Sequence, residues 1–71
     1  MTPRAEHLEW CKKRALEYLS QGELQNAVTS MGSDMGKHPE TGVNAGLLLI
    51  GAMYAQEGRT EEVRRWINGF R

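Results

Sequence analysis

Apolar residues recur every three or four positions over residues 3–19, the spacing at which side chains share one face of an α-helix. The stripe consists of Leu8, Cys11, Ala15 and Leu19. Trp10 falls on the opposite side, so we expect it to need a second surface, either a neighbouring helix or a second subunit. Pro3 is tolerated in a first turn, and Gly22 suits the position just past a helix C-terminus. The pattern therefore predicts a first helix that ends before Gly22.

Two further segments show the same periodicity. In residues 23–34 and the turn that follows, the apolar positions are Leu24, Ala27, Val28, Met31 and Met35. After a tight turn at Gly58, the apolar positions are Val63, Trp66, Ile67 and Phe70. We expect Thr60 to cap this last helix, with Glu61 and Glu62 in its first turn against the positive end of the helix dipole. The last stripe is expected to close the core.

Residues 43–56 differ because they have almost no polar face. A helix that is apolar all round must be covered all round, so the sequence predicts a buried central helix, with Thr41 as its cap. Gly46 and Gly51 would let neighbouring backbones approach closely. Met53 is expected in the core, although flexible methionines also suit helix-binding grooves. The segment is shorter than the about 20 apolar residues that cross a bilayer, so we expect no membrane span.

The two halves of the chain share a pattern with an offset of 36 residues, which separates Tyr18 from Tyr54. The further pairs are Ala15 with Gly51, Gly22 with Gly58, Ala27 with Val63, and Met31 with Ile67. Such a repeat predicts two successive helical hairpins of one design. The predicted fold class is all-α: four short helices as two antiparallel αα-hairpins, packed as a compact bundle in one domain over residues 1–71.

This pattern resembles the tetratricopeptide repeat. That family places small, aromatic, glycine, alanine, bulky apolar and proline residues where this chain has Ala15, Tyr18, Gly22, Ala27, Met31 and Pro39. The chain departs from the family in its offset, 36 residues instead of 34, and in Cys11, where a tryptophan is usual. Such solenoids need about three repeats, so the resemblance implies TPR-like hairpins in a compact four-helix unit or self-association.

The amino-acid sequence at residues 8–19, 24–27 and 37–41 also resembles that of a group of small uncharacterised proteins encoded by tailed bacteriophages. That resemblance implies a setting in the host cytoplasm and brings no known active site. The single cysteine, Cys11, excludes an internal disulfide and agrees with a reducing compartment. The N-terminus has no apolar run of the signal-peptide kind, so we expect a cytoplasmic protein.

The charge balance and the candidate metal-binding and nucleophilic residues limit the classes of function that the sequence supports. Nine Lys and Arg balance nine Asp and Glu, without the basic excess of a nucleic-acid-binding domain. His7 and Cys11 have a metal-ligand spacing that His38 could join, but a structural zinc site takes four ligands. No third group is positioned to orient His7 beside a cysteine nucleophile. We therefore expect no enzyme, no catalytic residue, no metal and no cofactor.

The sequence instead favours a small non-catalytic protein–protein interaction module, an adaptor or modulator that acts on a host protein if it is phage-encoded. Exposed aromatic residues supply large contact areas, and polar loops on rigid scaffolds often carry function. The residues expected to bind the partner are Trp10, Tyr18, Lys13, Arg14, Asp34, Lys37 and His38, the last three from a polar loop at residues 33–41. The partner is a protein, with a homodimer as one form.

Two alternatives remain open at this stage. One is a nucleic-acid-binding accessory protein, whose affinity would fall steeply with salt. It would use Lys12, Lys13, Arg14, Arg64 and Arg65. The other is a self-assembling structural component, for which the apolar segment at residues 43–56 in so short a chain is the only indication.

Overall fold

Four α-helices make up the described part of the chain. The computed structural model describes residues 3–37, 42 and 44–70. The helices are α1 (Pro3–Ser20), α2 (Leu24–Gly36), α3 (Ala45–Gln56) and α4 (Thr60–Asn68), and these described residues contain no strand. The all-α prediction is confirmed. Predictions that concern His38, Pro39, Thr41 and Val43 fall outside the described residues.

The core forms where the apolar stripes of α1, α2 and α4 meet, and Ala55 of α3 joins it. Its buried members are Leu8, Cys11, Ala15, Leu19, Ala27, Val28, Met31, Met35, Ala55, Val63 and Ile67. The predicted stripe of α1 is buried at all four positions, and Met31 and Met35 lie in the core as expected. Trp66 and Phe70 are half-buried and pack against this core, which confirms that the last stripe closes it.

The turns after α1 and after α3 have the same hydrogen-bonded geometry. Gly22 and Gly58 adopt positive φ values of 77° and 71°. The N–H of Glu23 donates to the carbonyl of Tyr18 at 3.0 Å, and 36 residues later the N–H of Arg59 donates to that of Tyr54 at 2.9 Å. Both are Schellman turns, in which a left-handed residue lets the chain satisfy the last carbonyls of a helix.

The 36-residue correspondence in sequence also has a counterpart in burial. Ala27 and Val63 are both fully buried, and so are Met31 and Ile67. These paired positions are therefore core positions in both halves of the chain. The antiparallel hairpin arrangement and the tetratricopeptide-repeat resemblance stay predictions.

The prediction that α3 is a buried central helix is wrong. Among the described helices, α3 packs on α2 and α4, and no Cα atom of α1 lies within 8 Å of one in α3. Only Gly51 and Ala55 of α3 are buried. The large side chains Leu47, Leu49, Ile50 and Met53 are 40%, 69%, 42% and 48% exposed. Two neighbouring helices cover one side of a helix, and the described chain has no further helix for the other side.

The helix ends also differ from the predictions. The Asn44 side chain caps α3 by accepting from the N–H of Leu47 at 2.9 Å, whereas the predicted cap, Thr41, lies outside the described residues. Thr60 is the first residue of α4, and no side-chain cap bond is made at Arg59 among the residues described. Asparagine and threonine are both good caps, and sequence alone does not select between them. The helix α2 extends to Gly36, so residues 33–36 are helical rather than part of a loop.

The contact between α3 and α4 depends on Gly51. A Cβ atom at this position would lie 2.6 Å from Cε2 of Trp66, so the indole ring occupies the space that a side chain would need. The indole Nε1–H donates to the backbone carbonyl of Leu47 at 2.9 Å. The ring also meets Phe70 edge-on, with 5.0 Å between centroids. The absence of a side chain at Gly51 therefore makes room for the Trp66 ring. The sequence had suggested that it makes room for a neighbouring backbone.

Candidate functional site

Several predicted partner-binding residues converge around Trp10, on the side of α1 that faces the C-terminal end of α2. The Arg14 guanidinium carbon lies 5.0 Å from the Trp10 ring centroid, and the Lys37 Nζ lies 5.7 Å from it. The His7 ring stacks on Trp10 with 5.6 Å between centroids. Of these three side chains only Lys37 comes from outside α1, and the indole remains 42% exposed.

Asp34 holds the two cations in place. It is only 2% exposed, and its Oδ2 accepts hydrogen bonds from Arg14 Nε at 2.7 Å and from Ser30 Oγ at 3.2 Å. Its Oδ1 accepts from Lys37 Nζ at 3.2 Å. Burial by itself would raise the pKa of Asp34, but the hydrogen bonds and charges of Arg14 and Lys37 outweigh it and hold the pKa below its usual value. The carboxylate therefore stays ionised and fixes both cations beside the indole.

A second bond ties α1 to the same turn of α2. His7 Nε2 lies 2.8 Å from the backbone carbonyl oxygen of Asp34. Because a carbonyl oxygen can only accept, Nε2 carries the hydrogen and donates it. Asp34 thus positions α1 through its main chain and through its side chain.

The remaining predicted site residues lie around this cluster or beyond it. Tyr18 is half-buried, packs against the core, and lines a cavity of about 240 Å³ between α1 and α2 together with Arg14 and Asp34. Lys13 is exposed and lines a separate open cavity of about 830 Å³ that runs from Trp10 towards Asn68. His38 lies outside the described residues. The structure brings together Trp10, Arg14, Asp34 and Lys37.

The candidate metal and nucleophile residues have other partners. Cys11 is completely buried in the core, and this burial raises the pKa of its thiol. His7 is bonded to Asp34, as described above. Within residues 3–37, 42 and 44–70, no group of three or more His, Cys, Asp or Glu side chains is placed to hold a metal ion.

The basic residues of the nucleic-acid alternative are spread over two helices. Arg14 is paired with Asp34, and Arg64 lies 3.9 Å from Glu61. The Nζ of Lys12 donates to the backbone carbonyl of Asn68 at 3.5 Å. Nucleic-acid binding stays a prediction.

The exposed side of α3 is a second candidate surface, which the sequence raised only as an indication of self-assembly. We define the α3 outer face as the exposed residues Ala45, Gly46, Leu47, Leu49, Ile50, Ala52 and Met53. No Asp, Glu, Lys or Arg occurs between positions 44 and 56. Beside this face runs an open groove of about 490 Å³ between α2 and α3, lined among others by Val28, Leu48 and Leu49. The absence of charge was visible in the sequence, but the exposure was not.

None of the helices that the structure describes combines the length and hydropathy of a membrane crossing. Comparison of this chain with known proteins finds no matching family model, and no curated protein or solved structure matches it significantly.

Proposed function

We propose that this protein is a non-catalytic protein–protein interaction module that docks another protein on the α3 outer face. The observation that carries the proposal is the exposure of Leu47, Leu49, Ile50 and Met53, each at least 40% exposed, on one helix without charge. Monomeric proteins seldom expose contiguous apolar patches of more than a few hundred Å², and larger ones mark interaction sites.

The shape of this surface favours a protein over a small molecule. Small-molecule sites are concave and enclose most of their ligand. The α3 outer face is instead the convex side of a helix, and the groove next to it is open and bordered by Val28 and Leu48. An apolar helix laid along such a groove is a recurrent mode of protein recognition.

The face also has a rigid support. Gly51 and Ala55, on the opposite side of α3, are buried, and Trp66 is hydrogen-bonded to the backbone of Leu47. A partner that binds there meets a rigid surface that does not have to rearrange, which reduces the entropy lost on binding.

The cluster around Trp10 is a second contact for the same class of partner. Asp34 holds Arg14 and Lys37 beside an indole that is still partly exposed. Tryptophan and arginine are enriched among the residues that dominate binding energy. The bacteriophage resemblance supports a host protein as the partner of the Trp10 cluster and the host cytoplasm as the setting.

The experiment is site-specific photo-crosslinking in a lysate of the protein's own host. A benzophenone amino acid replaces Leu49 on the α3 outer face, or, as the matched control, Gln21 in the exposed turn after α1. We expect a discrete protein adduct from position 49 and none from position 21. The absence of any protein adduct at position 49, or equal adducts at both positions, would refute the proposal.

A second variant tests whether the Trp10 indole contacts the partner. Trp10→Ala is expected to weaken capture of the partner by more than about tenfold if Trp10 is an anchor. Unchanged capture would restrict the docking surface to α3.

A further inference from the structure

We infer that the occupant of the α3 outer face is a second copy of this chain, so that the protein is a two-fold symmetric dimer joined through α3. The inference rests on the proposed function, because it names the partner for the same surface. Three features of the chain support it: charge, the spacing of the exposed residues, and area.

The first feature is charge. A partner that brought a charged side chain onto the α3 outer face would bury it without a counter-ion, since positions 44–56 carry none. The best complement to an uncharged apolar face is another uncharged apolar face, and α3 itself provides one. The formal net charge of the chain is zero, so two copies do not repel each other through their overall charge.

The second feature is spacing. Gly46, Leu49, Met53 and Gln56 are separated by three, four and three residues, the alternation of the seam along which two helices pair. A two-fold axis beside position 51 would make the pair of α3 helices antiparallel. It would set Leu49 of each copy opposite Met53 of the other. A leucine then meets a flexible methionine, which suits close packing.

The third feature is area. A standard interface buries about 800 Å² on each partner, a little under one fifth of the 4526 Å² surface of this chain. The twelve residues of α3 span about 18 Å, which supplies only part of that area. The open groove of about 490 Å³ between α2 and α3 adjoins the face through Leu49 and Ala52 and extends the contact onto α2. The interface therefore consists of the α3 outer face and this groove.

The mass of the purified full chain in solution tests the inference, measured by light scattering and sedimentation over a concentration series. We expect wild type at twice its 8.0 kDa mass. In Leu49→Glu, a carboxylate at a position 69% exposed in the single chain would be buried in the dimer. This variant is expected to keep its helical circular dichroism and to raise the dimer dissociation constant at least about 100-fold. Gln21→Glu adds the same charge in an exposed turn and is expected to leave the dimer intact.

A second experiment introduces a pair of opposite charges and tests the register of the two α3 helices. It compares two variants, so the result does not depend on the behaviour of one variant alone. Leu49→Glu and Met53→Lys are each expected to be monomeric alone. Mixed together, they are expected to form a heterodimer, because the antiparallel register sets the two new charges opposite each other and leaves the other Leu49–Met53 contact unchanged. A mixture that stays monomeric overturns this register.

The outcomes separate this inference from the proposed function. A wild-type chain that stays at 8.0 kDa throughout the series overturns the dimer, and so does an equally tight Leu49→Glu dimer. If wild type is monomeric but position 49 still crosslinks to another protein in lysate, the docking function stands and only the second copy is wrong. If position 49 crosslinks neither to the chain itself nor to another protein, both fail.

Discussion

Replacement of Gly51 by alanine tests how α3 is held on the rest of the molecule. The new methyl group would lie 2.6, 2.7 and 2.9 Å from Cε2, Cζ2 and Cδ2 of Trp66, well inside van der Waals contact. Those atoms belong to a rigid ring, so the whole indole has to move. Its movement breaks the 2.9 Å hydrogen bond to the Leu47 carbonyl and disturbs the edge contact with Phe70.

The change in the free energy of unfolding caused by Gly51→Ala is the balance of opposing effects. Alanine favours a helix interior over glycine by about 1 kcal/mol. Overpacking costs about 1–3 kcal/mol, and a lost hydrogen bond about 1 kcal/mol. We therefore expect Gly51→Ala to lower the free energy of unfolding by about 1–3 kcal/mol, although helix propensity alone predicts a gain. For a domain of this size the loss corresponds to a fall in Tm of roughly 5–20 °C.

The assay is urea and thermal unfolding followed by circular dichroism at one fixed protein concentration. Gly36→Ala is the matched control, because a Cβ at this last residue of α2 meets nothing within 4 Å. We expect the control to be neutral or stabilised by up to about 1 kcal/mol. In a Trp66→Leu background the penalty at position 51 should disappear. A Gly51→Ala protein as stable as wild type, with the control behaving as stated, would show that the indole does not pack on residue 51.

Two further predictions concern the buried carboxylate and the methionines. The pKa of Asp34 is lower in the folded state than in the unfolded chain, so below about pH 5 the unfolded chain binds more protons and stability falls as the pH falls. Asp34→Asn should lower stability at pH 7 by about 1 kcal/mol and flatten this acid dependence, measured as urea midpoints from pH 7 to pH 3; an unchanged pH profile would contradict the bonds to Arg14 and Lys37. Met31→Ala should lower the free energy of unfolding by about 2–5 kcal/mol, because the side chain is fully buried. Met53→Ala, at a position 48% exposed, should change it by no more than about 0.5 kcal/mol at low protein concentration, and equal effects at the two positions would contradict the assigned burial.

The candidate sites were only partly accessible from the sequence. Trp10, Arg14 and Lys37 were expected to bind a partner because of their residue types, and the structure places them together. Asp34 was expected in a polar loop, but it lies in the last turns of α2 and is buried among the groups it binds. Its role depends on how α1 packs on α2, and side-chain contacts between residues far apart in sequence are not encoded in local periodicity.

The sequence by itself determined the helices, the stripe of α1 and the two turns at Gly22 and Gly58. Each of these depends on interactions within a few residues: a 3.6-residue period, or a backbone angle that glycine adopts without strain. Only the tertiary structure decided that α3 lies at the edge of the bundle. The composition of α3 requires apolar neighbours on all sides, but the number of helices that can reach it depends on the packing of the whole chain. Two helices reach one side, and the side that remains exposed is the surface on which we propose that the protein binds its partner.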